Sequence, residues 1–358
     1  MTSVALRPDQ AVEAQRILDG SLAPLAGFMS AEEVDAVTTS LRLPSGDLMG
    51  VPVVLDVSED VAERVRHAGS TDLWLGTDRV ASLEVRSVFV IDKQAIASQV
   101  FGTTDTRHPG VARLGRMGSH AIGGPLQEIA RSHLDDPTSP ASVRRTIEAR
   151  GWKTTAGFQT RNIPHRAHEY LHRQALEACD GLLIQPLIGA RKAGDFSPDA
   201  VMAGYSTLVA RHLPLGRVVL SPIRLGMRYA GPREAVFHAI VRRNYGCTHF
   251  VVGRDHAGVG SFYAPYDAHA LLRGVARDLG IEILYMRGPA HCSICSRIVT
   301  DETCEHFQTR PDAIEEVSGT WLRSTMNDGG IVPDHLVRSD VLAALAGLAP
   351  FLDDTDAY

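Results

Sequence analysis

GFQTRNIPHRAHEYLHRQALE, residues 157–177, packs an amide, a guanidinium, a second amide and two histidines into one turn and then runs straight into an amphipathic helical pattern. The turn follows KTTAGFQT (153–160), which reads as a strand, and Pro164 sits near the first turn of the helix 164–179, where a missing N–H costs nothing. Helix N-termini carry partial positive charge and unpaired N–H groups, so a cation-rich turn there suits an anion. Arg161 offers a planar fork for a tetrahedral oxyanion. Gln159 and Asn162 add neutral donors, and Thr160 completes the turn. His165 and His168 are spaced to share one helix face. The competing reading makes one histidine a cap and gives Arg161 a surface ion pair. The whole QTRN-x-x-HxxH pattern at a strand-to-helix junction favours the anion site.

The pattern continues outward from this stretch. GLLIQPLIG (181–189), RVVLSPI (217–223), THFVVG (248–253) and IEILYM (281–286) read as strands. AVMAGYSTLVARHL (200–213), GPREAVFHAIVRRNYG (231–246) and DAHALLRGVARDLG (267–280) read as the helices between them. Strands alternating with helices imply βαβ units and a parallel sheet. Ligands bind such sheets at the carboxyl ends of the strands. A second polar turn, Gly253-Arg254-Asp255-His256-Ala257, falls at such an end, with Arg254 beside glycines whose backbone can approach a ligand closely. Its bland reading is an Arg254–Asp255 ion pair.

Before residue 150 the pattern differs. VPVVLDV (51–57), TDLWLG (71–76) and RSVFVIDK (86–93) are short β-branched runs punctuated by turn formers, which predicts a mostly-β domain. FGTTDTRHPGVARLG (101–115) reads as a loop, and a short helix is expected before Pro137. VLAALAGLAPFL (341–352) reads as a buried helix. With 358 residues, two or three domains are expected.

The net charge of -6 gives no nucleic-acid footprint. No apolar run nears the roughly 20 residues of a membrane helix, and the start lacks a signal-peptide pattern. No nucleic-acid or membrane partner is expected. The odd count of five cysteines, three of them clustered, argues against a disulfide framework and for a reduced, cytoplasmic setting. HCSICSRIVTDETCEHF (291–307) sets Cys292, Cys295 and Cys304 at zinc-ligand spacing. His306 and His291 compete for the fourth position. Cys179 and Cys247 read as core. Ser318, Gly319 and Thr320 precede a helix carrying Arg323, where a capping role leads. No G-x-x-x-x-G-K-[ST] occurs, so no P-loop is expected.

FQTRN with HRAHEYL, the long stretch 227–258 and VSGTWLR (317–323) are similar to the ATP sulfurylase (sulfate adenylyltransferase) family, in its monofunctional bacterial form. GSLAPLAGFMS (20–30) and FGTTDTRHPGV (101–111) extend the resemblance over nearly the whole chain. The resemblance implies a PUA-like mostly-β domain over 1–150. It implies a Rossmann-like α/β catalytic domain of the nucleotidyltransferase type over 151–288, and a zinc knuckle with a small helical region over 289–358. It also implies a reaction: ATP and sulfate give adenosine 5′-phosphosulfate and pyrophosphate, with Mg2+ accompanying ATP and structural Zn2+ in the cysteine cluster. Carried over residue by residue, Gln159, Arg161 and the Ala257 backbone would hold sulfate. Thr160, Arg161 and Asn162 would act at the transition state. His165 and His168 would bind the triphosphate, Arg254 would stabilise its charge, and Gly253, Asp255 and His256 would line the nucleotide pocket. A homo-oligomer of two or more copies is implied as well. Ile163 stands where the family usually has proline, and Val259 and MRGPAHC (286–292) also depart from its pattern. These departures leave a rival reading, a specialised or degenerate homologue with altered oxyanion use or a non-catalytic nucleotide-binding role.

Overall fold

The computed structural model describes residues 2–128 and 136–353. The chain forms two units. One takes in Met1–Thr146, Leu225–Gly246 and Asp255–Glu282, and the other Ile147–Arg224, Cys247–Arg254 and Ile283–Tyr358.

The first unit is built on β1 (Thr2–Ala5), β2 (Gly27–Phe28), β3 (Leu55–Val57), β4 (Ser70–Leu75), β5 (Asp78–Glu84), β6 (Ser87–Val90) and β7 (His120–Glu128). Long β7 is the hub: β2, β3, β5 and β6 all pair with it antiparallel, while β1 runs parallel to β4. Gly123 and Gly124 permit this crowding. A Cβ at Gly123 would lie 2.4 Å from the Met29 carbonyl oxygen, and one at Gly124 only 1.9 Å from that of Glu84. The same unit carries α1 (Pro8–Leu18), α2 (Ala31–Ser40), α3 (Glu59–Val65), α4 (Lys93–Val100) and α5 (Pro109–Arg116). Helix α5 corrects the loop expected over 101–115. His108 accepts N–H bonds from Gly110 and Val111 and caps the helix, with Pro109 in its first turn. The helix expected before Pro137 falls largely on residues 129–135, outside those described.

From α6 (Pro140–Ala149) the chain runs through β8 (Thr155–Thr160), α7 (Arg166–Ala178), β9 (Gly181–Pro186), α8 (Pro198–His212) and β10 (Val218–Leu220). Helix α9 (Gly231–Asn244), β11 (His249–Val252), α10 (Asp267–Val275) and β12 (Glu282–Tyr285) follow, with α9 and α10 belonging to the first unit. The strand order is β10-β9-β8-β11-β12, and β8 is parallel to both β9 and β11. Every residue of β8 except Gln159 is buried, as expected of a strand covered on both faces. The order reverses at β8. The chain moves out on one side through β9 and β10 and comes back at β11 on the other. Polar residues just past β8 and β11 therefore lie at a topological switch point, where α/β sheets bind ligands.

Beyond the sheet, β13 (Ala290–Cys292) pairs antiparallel with β14 (Arg297–Val299) and with β15 (Ile314–Glu316). Helices α11 (His306–Thr309), α12 (Gly319–Asn327) and α13 (Ser339–Ala343) complete the described part of the unit. The apolar run 341–352 is thus not one buried helix. After α13 it turns and brings Phe351 back to a bridge with Phe196, because Gly347 at φ 83° and Pro350 break it.

Candidate active site

At the carboxyl end of β8 the buried Thr160 hydroxyl accepts the Asn162 N–H at 3.2 Å and so closes the turn. Ile163, fully buried, anchors the turn in the core cluster that also holds Phe158 and Leu171. His165 caps α7: its Nδ1 accepts the His168 N–H at 3.3 Å. This bond puts the proton of the neutral ring on Nε2. The two imidazoles stack with centroids 3.7 Å apart and planes 21° from parallel. Burial holds His165 well below the ordinary histidine range, and the neighbouring His168 adds to this. Burial also lowers His168 to about 4, against the opposing pull of the Ile163 carbonyl. Both rings are therefore neutral near pH 7. His165 keeps its Nε2–H to offer, and His168 can offer its own by releasing the Ile163 carbonyl.

Arg161 of the turn and two cations from other segments gather around a carboxylate that sequence reasoning missed. Asp195, fully buried, has Arg161 Nε at 3.9 Å, Lys192 Nζ at 3.5 Å and an Arg323 terminal nitrogen at 3.6 Å. Buried Arg191 donates to the Arg161 carbonyl at 3.2 Å. Arg161, Lys192 and Arg323 thus share this one carboxylate among the described residues, and a planar guanidinium among them suits a tetrahedral oxyanion. Arg323 also donates to Asn162 Oδ1 at 2.9 Å. Ser318 caps α12 by accepting the Trp321 N–H at 3.0 Å, so the capping expectation holds for it. Gly319 is a spacer: a Cβ there would come within 2.7 Å of the Asn162 amide.

Gly253 and Arg254 leave β11 in the same unit as this turn. Arg254 is engaged by Glu316 of β15 in a two-pronged pair, at 2.6 and 2.5 Å, so Glu316 takes the role expected of Asp255 in the bland reading. The remainder of the turn belongs to the first unit. Asp255 and Ala257 both hold φ 56°, a left-handed conformation that costs non-glycine residues and clusters at functional sites. His256 is braced by two residues of α9. Its Nε2 lies 3.2 Å from His238 Nδ1, and His238 Nε2 lies 3.4 Å from Glu234 Oε1. Burial raises the Glu234 carboxyl, but His238 and the N–H groups of Arg228 and Ala230 outweigh it and hold the group below its ordinary value. The i, i+4 spacing of Glu234 and His238 was the sequence signal for this brace. RKAGD (191–195) sets Arg191, Lys192 and Asp195 close in sequence but carries no sign of Arg161 or Arg323.

Cys292, Cys295, Cys304 and His306 converge and can hold a metal ion. His306 Nδ1 lies 3.4 Å from each of the three sulfurs, and Cys295 and Cys304 sulfurs are 3.7 Å apart. Donors on one tetrahedral zinc stand roughly 3.5–3.8 Å apart, given bonds of ~2.3 Å to sulfur and ~2.0 Å to nitrogen. The donor set fits Zn2+, and His306 rather than His291 is the histidine that converges with the three sulfurs. Cys179 and Cys247 are buried, as expected.

A sequence model of the ATP-sulfurylase family matches residues 137–347, and one of a PUA-like domain matches residues 1–131. The chain is 37% identical to a sulfate adenylyltransferase of Hyperthermus butylicus, covering 100% of this chain and 92% of the relative. It is 41% identical to one of Symbiobacterium thermophilum, covering 96% and 88%. With one of Nostoc punctiforme the identity is 40%, over 94% and 87%. Among solved structures, a hexameric APS kinase from Thiobacillus denitrificans superposes with a TM-score of 0.73 at 20% identity. That match covers 98% of this chain and 63% of the other, under two thirds of it, and is a likeness of fold. No described helix is long and apolar enough to cross a membrane.

Proposed function

The chain belongs to the ATP-sulfurylase family and is a sulfate adenylyltransferase, and from that premise we propose how its residues divide the work. The carrying observation is the position of the QTRN turn and Arg254 just past β8 and β11, at the switch point of the sheet. Gln159, Arg161 and the Ala257 backbone bind sulfate. Thr160 holds the turn, while Arg161 and Asn162 meet the charge that builds up as reaction proceeds. His165 and His168 donate their N–H groups to the triphosphate, and Arg254 exchanges Glu316 for phosphate oxygens. Gly253, Asp255 and His256 line the nucleotide pocket.

A sulfate oxygen attacks the α-phosphorus in line. The new O–P bond forms as the bond to the β-phosphate oxygen breaks, and pyrophosphate leaves with that electron pair. The dianion brings no proton to remove, so positioning and charge neutralisation carry catalysis. Mg2+ arriving with ATP neutralises triphosphate charge. Cys292, Cys295, Cys304 and His306 would hold Zn2+, which would fasten the small sheet. The proposal divides the chain into the PUA-like domain 1–150, the catalytic domain 151–288 and the zinc-bearing region 289–358. It places the enzyme in the cytoplasm as a homo-oligomer of two or more copies.

The test is pyrophosphate release from MgATP with and without sulfate. The wild type should release it only with sulfate, and Arg161→Ala should lower the rate by about 100- to 1,000-fold, the usual cost of one charge-stabilising donor. An unchanged rate in the variant would remove Arg161 from the mechanism.

A further inference from the structure

The three-stranded sheet β14-β13-β15 has two faces, and the zinc cluster uses one of them. Neighbouring residues on a strand point to opposite faces. Cys292 therefore faces the thiolate cluster together with its cross-strand partner Ile314. His291 and its cross-strand partner Glu315 face the other way. On that second face a third side chain joins them. His335, from the loop between α12 and α13, places Nε2 2.8 Å from Glu315 Oε2, and its ring centroid lies 4.2 Å from that of His291. One donor atom from each of His291, Glu315 and His335 lies within 4.8 Å of the other two.

We propose that His291, Glu315 and His335 form a second metal site, for a divalent first-row transition ion of the Zn2+ class. Two imidazoles and one carboxylate are a known zinc donor set that leaves a position open to water. The alternative is a simple His335–Glu315 ion pair, which leaves His291 unexplained. Its Nδ1 is buried without a hydrogen-bond partner, and such orphaned groups call for an ion or a water. Metal bonds of ~2.0–2.1 Å separate the donors by roughly 3.3 Å. Entry of the ion therefore asks Glu315 and His335 to part by only about half an ångström. Both are exposed, so the ion has a path in.

The third ligand is held in place by its own segment. Leu336 and Val337 donate to the Pro333 carbonyl at 3.0 Å each, and the Leu336 carbonyl accepts the Arg166 N–H of α7 at 2.8 Å. Arg166 also pairs with Asp334 at 2.6 Å. An ion here would cross-link the small sheet to the segment that lies on the first turn of α7, next to the His165 cap.

The probe is Co2+ titrated into the full-length, untagged protein whose thiolate cluster is already filled with one equivalent of Zn2+. The site should take up one further equivalent, giving weak visible bands without thiolate-to-cobalt charge transfer, and elemental analysis should count two metals per chain. His335→Asn and Glu315→Gln should each bind the second ion more weakly, by more than the ~10–100-fold that loss of an outer partner costs. Both should keep the first ion, which reports that the sheet still folds. One metal per wild-type chain would overturn the proposal. So would a second ion that both variants retain at full affinity.

Discussion

His165 and His168 stand in the proposed anion site, yet burial keeps both neutral. Two charged imidazoles stacked 3.7 Å apart would also repel each other. The cost appears as a pH dependence of stability. In the unfolded chain His168 titrates near 6.5, and in the folded protein only near 4. Between those values the unfolded chain binds more protons, so stability rises with pH across the window. The contribution is complete above about 6.5 and lost as pH falls toward 4, and His165 acts in the same direction. Urea midpoints measured from pH 7 down to 4.5 should fall less steeply in His168→Asn than in the wild type. Equal slopes would mean that burial does not hold this ring neutral. The residues of the anion turn could be picked out from sequence because they are consecutive and follow a strand. Asp195 could not, because it lies 34 positions beyond Arg161 and meets it only once α7 and β9 have folded.

Elements set the reach of these side chains. Helix α12 presents Arg323 to Asn162 and keeps room for the amide through Gly319. Two substitutions one residue apart should therefore separate packing from positioning. Ser318→Ala removes the cap and should cost about 1 kcal/mol of stability with little effect on turnover. Gly319→Ala favours the helix by intrinsic propensity but pushes a methyl against the Asn162 side chain. Turnover should fall several-fold while the melting temperature holds or rises. A Gly319→Ala enzyme with normal kcat would show that Asn162 needs no fixed position. The elements around β8 could be read from sequence because buried parallel strands are apolar runs and the helices between them are long. Helices α3, α4 and α5 have only seven or eight residues, too few for a 3.6-residue period to show. The α5 cap is a histidine rather than the usual Ser, Thr, Asp or Asn. The split of the second turn between two units was invisible for another reason: GRDHAGVG is continuous in sequence, and the division falls between Arg254 and Asp255.

At the scale of the whole molecule, a question is whether a protein that makes adenosine 5′-phosphosulfate could also phosphorylate it. Its composition of sites argues against it. Kinases of the P-loop class wrap the β- and γ-phosphates of a second ATP in a glycine-rich loop that ends in Gly-Lys followed by Ser or Thr, and no Gly-Lys pair occurs in these 358 residues. The groups proposed to face phosphate are arginines and neutral histidines spread over the ends of β8 and β11. That arrangement suits leaving-group stabilisation at one nucleotide better than a second phosphoryl transfer. Incubated with adenosine 5′-phosphosulfate and γ-labelled ATP, the protein should place no label on the ribose hydroxyl. Given pyrophosphate instead, it should form ATP from the same adenosine 5′-phosphosulfate, since the adenylyl transfer runs through one site in both directions. Label transfer that survives in Arg161→Ala would require a second phosphate cradle elsewhere in the chain. Label transfer lost in that variant would place both chemistries at the β8 turn.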